Sequence, residues 1–325
     1  MIPIRGTIQS RRHPIVTNTI IAANVAFFLV QLTQGAGLQA FIATYGLVPA
    51  RYTIPYVASY FSMKQQIVAL FSFMFLHGGF WHLLGNMWSL HIFGDNVEDR
   101  LGHIRFLIFY LVGGWVSGLV HILFNPHSQV PTIGASGAIA GVMGAYFLLY
   151  PRSKILTLIP LFFIPYFLEI PAFFFLGLWF VLQFLSAAGS SGQATGIAWW
   201  AHIGGFLFGV ICLRLFVRRP SRELSRKSAG LTARSKTPRL QIIRAAGTAD
   251  DPHLYGTIEI TPSEAVRGSR KLVNIPWGFH KRMVTVVIPP GMRPGKTLRL
   301  RGLGKEAPGH GKGDLYLRVI IQPES

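Results

Sequence analysis

The chain has 325 residues, is 50% hydrophobic and carries a formal net charge of +19 with a single cysteine. One cysteine excludes an intramolecular disulfide and CxxC-type metal sites, and Cys212 reads as a buried, inert thiol. The charge is unevenly placed, with 9 Lys/Arg and 4 Asp/Glu up to Leu213 against 22 and 8 from Arg214 onward, so the first part reads as membrane-embedded and the second as a basic soluble region.

In chain order, a short N-terminal stretch (residues 1–14) precedes an apolar run at Ile15–Leu32. No small-residue cleavage site follows it, which predicts a retained anchor. Further apolar runs occupy Phe80–Phe93 (with Ile67–Leu76 before it), Ile104–Phe124, Ile133–Tyr150, Phe173–Ala187 and Trp199–Val217. They predict a polytopic bundle of six transmembrane helices within residues 15–217. The greasy stretch Ile155–Pro171 is broken by Pro160, Pro165 and Pro171. Each proline removes a backbone donor that lipid cannot replace, so no full span is expected there. Arg5, Arg11 and Arg12, then Arg100 and Arg105, Arg152 and Lys154, and Arg214, Arg218, Arg219 and Arg222 fall on one side of such a bundle; the other side carries only Arg51 and Lys64. The excess of basic loops places both termini in the cytoplasm of an inner (plasma) membrane of bacterial type.

The notable polar side chains within these helices are His82, Asn86, Ser136 and His202. At about 1.5 Å per residue, Ser136 lies roughly 21 Å from the inner end of its helix, His202 roughly 22 Å and His82 roughly 20 Å. In a hydrocarbon layer of about 30 Å all three share one level, some 10 Å below the outer face. Asn86 is one turn deeper on the face of His82. Polar groups at that depth usually face a bundle interior or water. Ser136, inside PTIGASGAIAG, has two readings. Gly134, Gly137, Gly141 and Gly144 would let the fourth helix approach Gly205 and Gly209 of AHIGGFLFG, with Ser136 one more small packing residue. Alternatively Ser136 is a nucleophile whose proton His202 accepts, with His82, Asn86 and the Ser136 amide as oxyanion donors. The two are compatible, because a glycine seam brings the serine and the imidazole together. No acidic residue lies at that depth on the sixth helix, and Asp95, Glu98 and Asp99 sit at the opposite end, so the chemistry expected is a Ser–His dyad.

GASG around Ser136, HLLGN from His82 to Asn86 and AHIGG from Ala201 to Gly205 resemble the rhomboid intramembrane serine proteases, as do FLHGGFWHLLGNM and FGDNVEDRLG. The resemblance covers about residues 15–217. It implies Ser136 as nucleophile, His202 as general base, and His82 and Asn86 in the oxyanion hole. It also implies single transmembrane helices as substrates, cut near the outer membrane face. The segment Phe162–Pro171 and the fifth helix would resemble a lateral gate; Glu169 there is expected to face water at the inner end. Where many members carry Trp-Arg in the first loop, this chain has Val68-Ala69. Where some place a Tyr that stacks on the histidine, it has Ala140, so His202 needs other contacts, such as Phe206.

Arg214–Arg244 holds ten Lys/Arg against the single Glu223. Residues 218–250 therefore read as a basic linker on an anionic leaflet, with membrane lipid and not nucleic acid as its partner. From residue 251 the runs LYGTIEIT, RKLVNIP, MVTVVIP, KTLRLRG and DLYLRVII alternate between Gly and Pro breaks, predicting a small all-β sandwich over residues 251–325. EAVRG and IPPGMRPGKTLRLRGLG…GDLYLRV resemble the first C-terminal subdomain of DnaJ-type co-chaperones, which implies binding of extended or unfolded polypeptide at a sheet edge. No J domain, zinc-binding Cys repeat or second subdomain accompanies it. No cofactor or metal is indicated. The rival to a protease is a catalytically inactive relative that binds transmembrane helices; a transporter would need paired broken segments in two related halves.

Overall fold

A computed structural model describes residues 1–8, 10, 12–161, 164–189, 198–217, 237, 240–243, 251–277, 280–307 and 311–321. After strand β1 (Ile2–Gly6) comes helix α1 (Ile15–Leu32), then a first loop carrying short helices α2 (Leu38–Tyr45), α3 (Ala50–Thr53), α4 (Pro55–Ala58) and α5 (Met63–Ser72). Helices α6 (Phe80–Leu101), α7 (His103–Phe124) and α8 (Ser136–Leu149) lead to strands β2 (Lys154–Leu161) and β3 (Ile164–Pro171), then to α9 (Ala172–Gly189) and α10 (Trp199–Phe216).

Helices α1, α7, α9 and α10 are each long and apolar enough to cross a membrane, and α5 with α6 makes a fifth such unit bent by 76°. Helix α8 has only 14 residues. The expected run from Ile133 starts instead at Ser136, because Leu47 and Thr132 exchange backbone hydrogen bonds (2.8 and 2.9 Å) and hold the preceding segment extended. Helix α6 outruns its expected end at Phe93 by eight residues. The charged stretch after it stays helical because Glu98, 1% exposed, caps α1. Its carboxylate accepts from Val16 N (2.9 Å), Thr17 N (2.8 Å) and Thr17 Oγ1 (2.6 Å), and a buried carboxylate on a helix N-terminus is both hydrogen-bonded and favoured by the helix dipole. Gly102, at φ +83°, then turns the chain directly into α7.

The proline-broken stretch is a β-hairpin, which the sequence reading did not anticipate. β2 pairs with β3 from Lys154↔Pro171 to Pro160↔Pro165, and β1 adds to the other edge of β2 with Ile2 opposite Leu158 and Gly6 opposite Ile155. Trp88 Nε1 donates to Pro3 O (2.6 Å), fastening β1 along α6. Glu169 is ion-paired with Lys154 Nζ (3.1 Å) and only 11% exposed, so the expectation that it faces water does not hold.

The basic linker expected at 218–250 lies outside the described residues except for Thr237 and residues 240–243. These are docked, and Leu240–Ile242 forms β4. The C-terminal region has β5 (Leu254–Ile260), α11 (Pro262–Arg267), β6 (Ser269–Trp277), β7 (His280–Ile288), β8 (Thr297–Leu300), β9 (Glu306–Ala307), β10 (Gly311–Lys312) and β11 (Leu315–Ile321). Each expected alternating run falls in a strand; the short helix was not foreseen. Its start is set by a capping box between Thr261 and Glu264 with Pro262 in the first turn. The sheets are ordered β5-β11-β8 and β4-β6-β7. Ile258, Ile260, Val273, Ile275, Val286, Ile288, Leu315, Leu317 and Val319 from both share one core.

Beside that core, Glu264 and Lys271 form a fully buried ion pair, and Glu264 also accepts from Thr237 Oγ1 (2.6 Å). Burial pushes the Glu264 carboxyl up, but the hydrogen bonds from Lys271 and Thr237 outweigh it and hold the group below the usual range. Its contribution to stability is therefore present above the unfolded value, about 4.3, and lost as pH falls through the lower folded value. Glu264→Gln is expected to destabilise the region by about 3–5 kcal/mol at neutral pH. The deficit should shrink as pH falls below about 4.3 and be smallest below the lower folded value, where both proteins carry an uncharged side chain. Hydrogen exchange of the β6 and β7 amides across pH would check this; a deficit independent of pH would contradict it.

Candidate active site

Ser136 is the first residue of α8 and His202 lies in the first turn of α10. Ser136 Oγ and His202 Nε2 are 2.7 Å apart, and His202 Nδ1 is 2.7 Å from Gln183 Oε1 on α9. A carboxamide oxygen only accepts, so Nδ1 carries the proton and Nε2 is left as the acceptor for the serine hydroxyl. This is the tautomer a general base requires.

Two helices can bring these groups so close because their backbones touch. An ideal Cβ on Gly205 would sit 2.0 Å from Gly137 O, one on Gly209 2.0 Å from Gly141 O, and one on Gly144 2.2 Å from Phe206 O. A Cβ on Gly141 would sit 3.3 Å from Gly205 O. On its other side Gly137 abuts α7, where a Cβ would meet Ser117 Oγ at 2.1 Å. Gly134 does not share this role. It precedes the helix at φ +129°, and a Cβ there would meet the His82 ring at 2.9 Å. Its function is to let an imidazole lie beside the start of α8.

The amide of Gly78 donates to His82 Nδ1 (3.2 Å). In the neutral ring the proton is then on Nε2, the edge that lies against Gly134. One turn further along α6, Asn86 is 8% exposed, and its Nδ2 has no hydrogen-bond partner among the described residues. A buried unpaired amide costs about 1–3 kcal/mol, a strain common at sites that bind an acceptor. With the unpaired first-turn amides of α8, the arrangement offers donors beside a serine and its base. The start of α6 is fixed by Gln31 of α1, whose side chain pairs with both backbone groups of His77 (2.8 and 3.0 Å).

Three features escaped the sequence reading. Phe206 stacks on Phe180 (4.8 Å) instead of on His202, whose ring neighbours are Trp179 and Trp199 (6.0 and 6.2 Å). Gln183 is the only amide or charged side chain in α9, and that isolation was the signal available for it. Arg51, read only as a loop charge, is buried. It donates to Ala43 O and to Thr44 O (3.1 Å) and lies 3.6 Å over the Phe61 ring. The first loop is thereby fastened by a buried guanidinium. Cys212 is half-buried. Among the described residues there is no group of three metal-ligating side chains.

Residues 64–219 match the family description "Rhomboid domain", and residues 248–325 match "DnaJ C terminal domain". Relatives include RHOMBOID-like protein 1 of Arabidopsis thaliana, 29% identical over 53% of this chain and 42% of that protein. Rhomboid protein 1, mitochondrial, of Saccharomyces cerevisiae is 27% identical over 52% of this chain and 49% of its own length. Presenilin-associated rhomboid-like protein A, mitochondrial, of Danio rerio is 30% identical over 50% and 42%. The chain spans less than half the length of each of these relatives.

Proposed function

Because the chain is a membrane protein of the rhomboid family with a DnaJ C-terminal domain appended, we propose that it is an intramembrane serine endopeptidase. The observation that carries the reading is the Ser136–His202 contact of 2.7 Å with the base in its accepting tautomer. Packing alone needs a small residue at 136, not an imidazole nitrogen aimed at its oxygen.

Ser136 Oγ attacks the scissile carbonyl carbon while its proton passes to His202 Nε2. The oxyanion is met by His82 Nε2–H, Asn86 Nδ2–H and the first amides of α8. The intermediate collapses to an acyl-enzyme as His202 returns the proton to the departing amine. Water, deprotonated by the same imidazole, then releases the acid and frees the serine. Truncating Asn86 to alanine should lower kcat by about 10²-fold with little change in KM, since this donor acts only when the oxyanion forms. An unchanged kcat would remove Asn86 from the site.

In this reading α1, α6, α7, α8, α9 and α10 are six spans, both termini are cytoplasmic, and the membrane is a bacterial inner membrane. Substrates are transmembrane segments cut near the outer face. The C-terminal region, a small sandwich, binds extended polypeptide. The first test is a fluorophosphonate probe, applied to the full chain in detergent, with the adduct located by mass spectrometry. An adduct on Ser136 supports the protease; a folded chain that takes up no probe and cleaves no single-span substrate is an inactive helix-binding relative.

A further inference from the structure

Catalysis needs the His202 imidazole held in one tautomer and one plane, and among the described residues no charged side chain hydrogen-bonds its Nδ1. Of the acidic residues before Leu213, Glu98 caps α1 and contacts His103, Glu169 pairs with Lys154, and Asp95 accepts from Ser10. Asp99 lies beside these at the same end of α6. The group that meets His202 Nδ1 is Gln183 Oε1, at 2.7 Å and 8% exposed. A carboxylate at this depth would carry a desolvation penalty; a carboxamide accepts the same hydrogen bond without a charge to desolvate.

Gln183 does not belong to the glycine-locked pair α8 and α10. It rides on α9, whose outer face is exposed at Phe173, Phe174, Leu178, Val181, Leu182 and Leu185. The inward stripe of α9 is Ala172, Phe175, Leu176, Gln183 and Ala187. The ring stack of Phe180 on Phe206 docks it against α10. The nucleophile and base are thus fixed to each other, while the orientation of the base is supplied by a peripheral helix.

We propose that Gln183 is the positioning residue for His202, and that docking of α9 through Phe180 sets whether the base is oriented for catalysis. The proposal rests on the protease reading, and the experiment separates the two. The full chain and its Ser136→Ala, Gln183→Leu, Gln183→Glu, Phe180→Ala and Phe180→Ala/Gln183→Leu variants are assayed for fluorophosphonate labelling and for cleavage of a single-span substrate in liposomes across pH. Gln183→Leu should lower the labelling rate and kcat by about 10²-fold with KM held within a factor of two. Gln183→Glu should restore much of the rate and move the acid limb of the profile upward by about one pH unit, because an anion favours the imidazolium. Phe180→Ala should reproduce the Gln183→Leu signature, and the double variant should be no worse than Gln183→Leu. Gln183→Leu at the rate of the unaltered chain overturns the positioning role. So does a loss carried in KM with no return in Gln183→Glu, which would reveal a packing residue. Additive losses in the double variant overturn the link through Phe180. Labelling and cleavage retained by Ser136→Ala would overturn the protease reading itself, and this inference with it.

Discussion

Ser136→Ala is expected to reduce cleavage of a single-span substrate by on the order of 10⁴-fold or more, and His202→Ala by a similar factor. In the protease reading the two act as one unit: the hydroxyl is a weak nucleophile until the nitrogen 2.7 Å away takes its proton, and among the described residues no other hydroxyl hydrogen-bonds that nitrogen. The double variant should therefore be no slower than either single one. What remains in each comes from binding and the oxyanion donors, which neither change removes. Steady-state cleavage in liposomes, with each variant shown to be folded by its thermal transition, is the measurement. Activity in His202→Ala within tenfold of the unaltered chain would mean that the serine is activated by another group.

Gly205→Val should also be damaging, although residue 205 takes no part in the chemistry. Its Cβ would lie 2.0 Å from Gly137 O, against the 3.4 Å or more of ordinary contact. The obstacle is backbone on both sides, so α8 and α10 must separate by more than about 1 Å. Gly137 adjoins Ser136, and His202 lies less than one turn before Gly205, so the separation falls on the Ser136–His202 hydrogen bond. A misplacement of about 1 Å typically lowers rate by about 10²-fold, and the strained seam should lower the melting temperature as well. Gly205→Ala should do much of the same damage, because the clash is with Cβ. Gly85→Ala is the control: it is also helical, and nothing lies within 4 Å of its Cβ position. Equal behaviour of the two alanine variants would show that the seam tolerates separation.

How much of this was legible beforehand depended on contrast. His82, Asn86, Ser136 and His202 stood out because polar groups in apolar helices are rare, and counting residues from the helix ends put three helices' contributions at one depth. Gln183 offered the same contrast but was passed over, because the pairing that gives it meaning is tertiary. The glycine seam was readable from spacing, yet Gly134 was misplaced with it, since spacing does not reveal that the helix starts two residues later. The β2–β3 hairpin was opaque because apolar residues interrupted by prolines have no period, and its pairing with β1 joins residues about 150 apart in sequence. In the C-terminal region strict alternation marked each long strand, whereas β4 is three residues long and lies among basic residues that drew attention to charge.

The shortness of α8 has a further consequence. Its 14 residues rise about 21 Å, whereas the hydrocarbon layer is about 30 Å thick. Helix α8 by itself accounts for about two-thirds of that thickness, and Ser136 is its first residue, where the chain enters from an extended segment. In the protease reading, water would reach Ser136 from the side on which α8 begins. The oxygen that enters the cleaved product would then come from that one compartment, since the close α8–α10 contact lies on the other side of Ser136. A bond buried at membrane depth would in this way be hydrolysed by one aqueous phase without opening a path to the other.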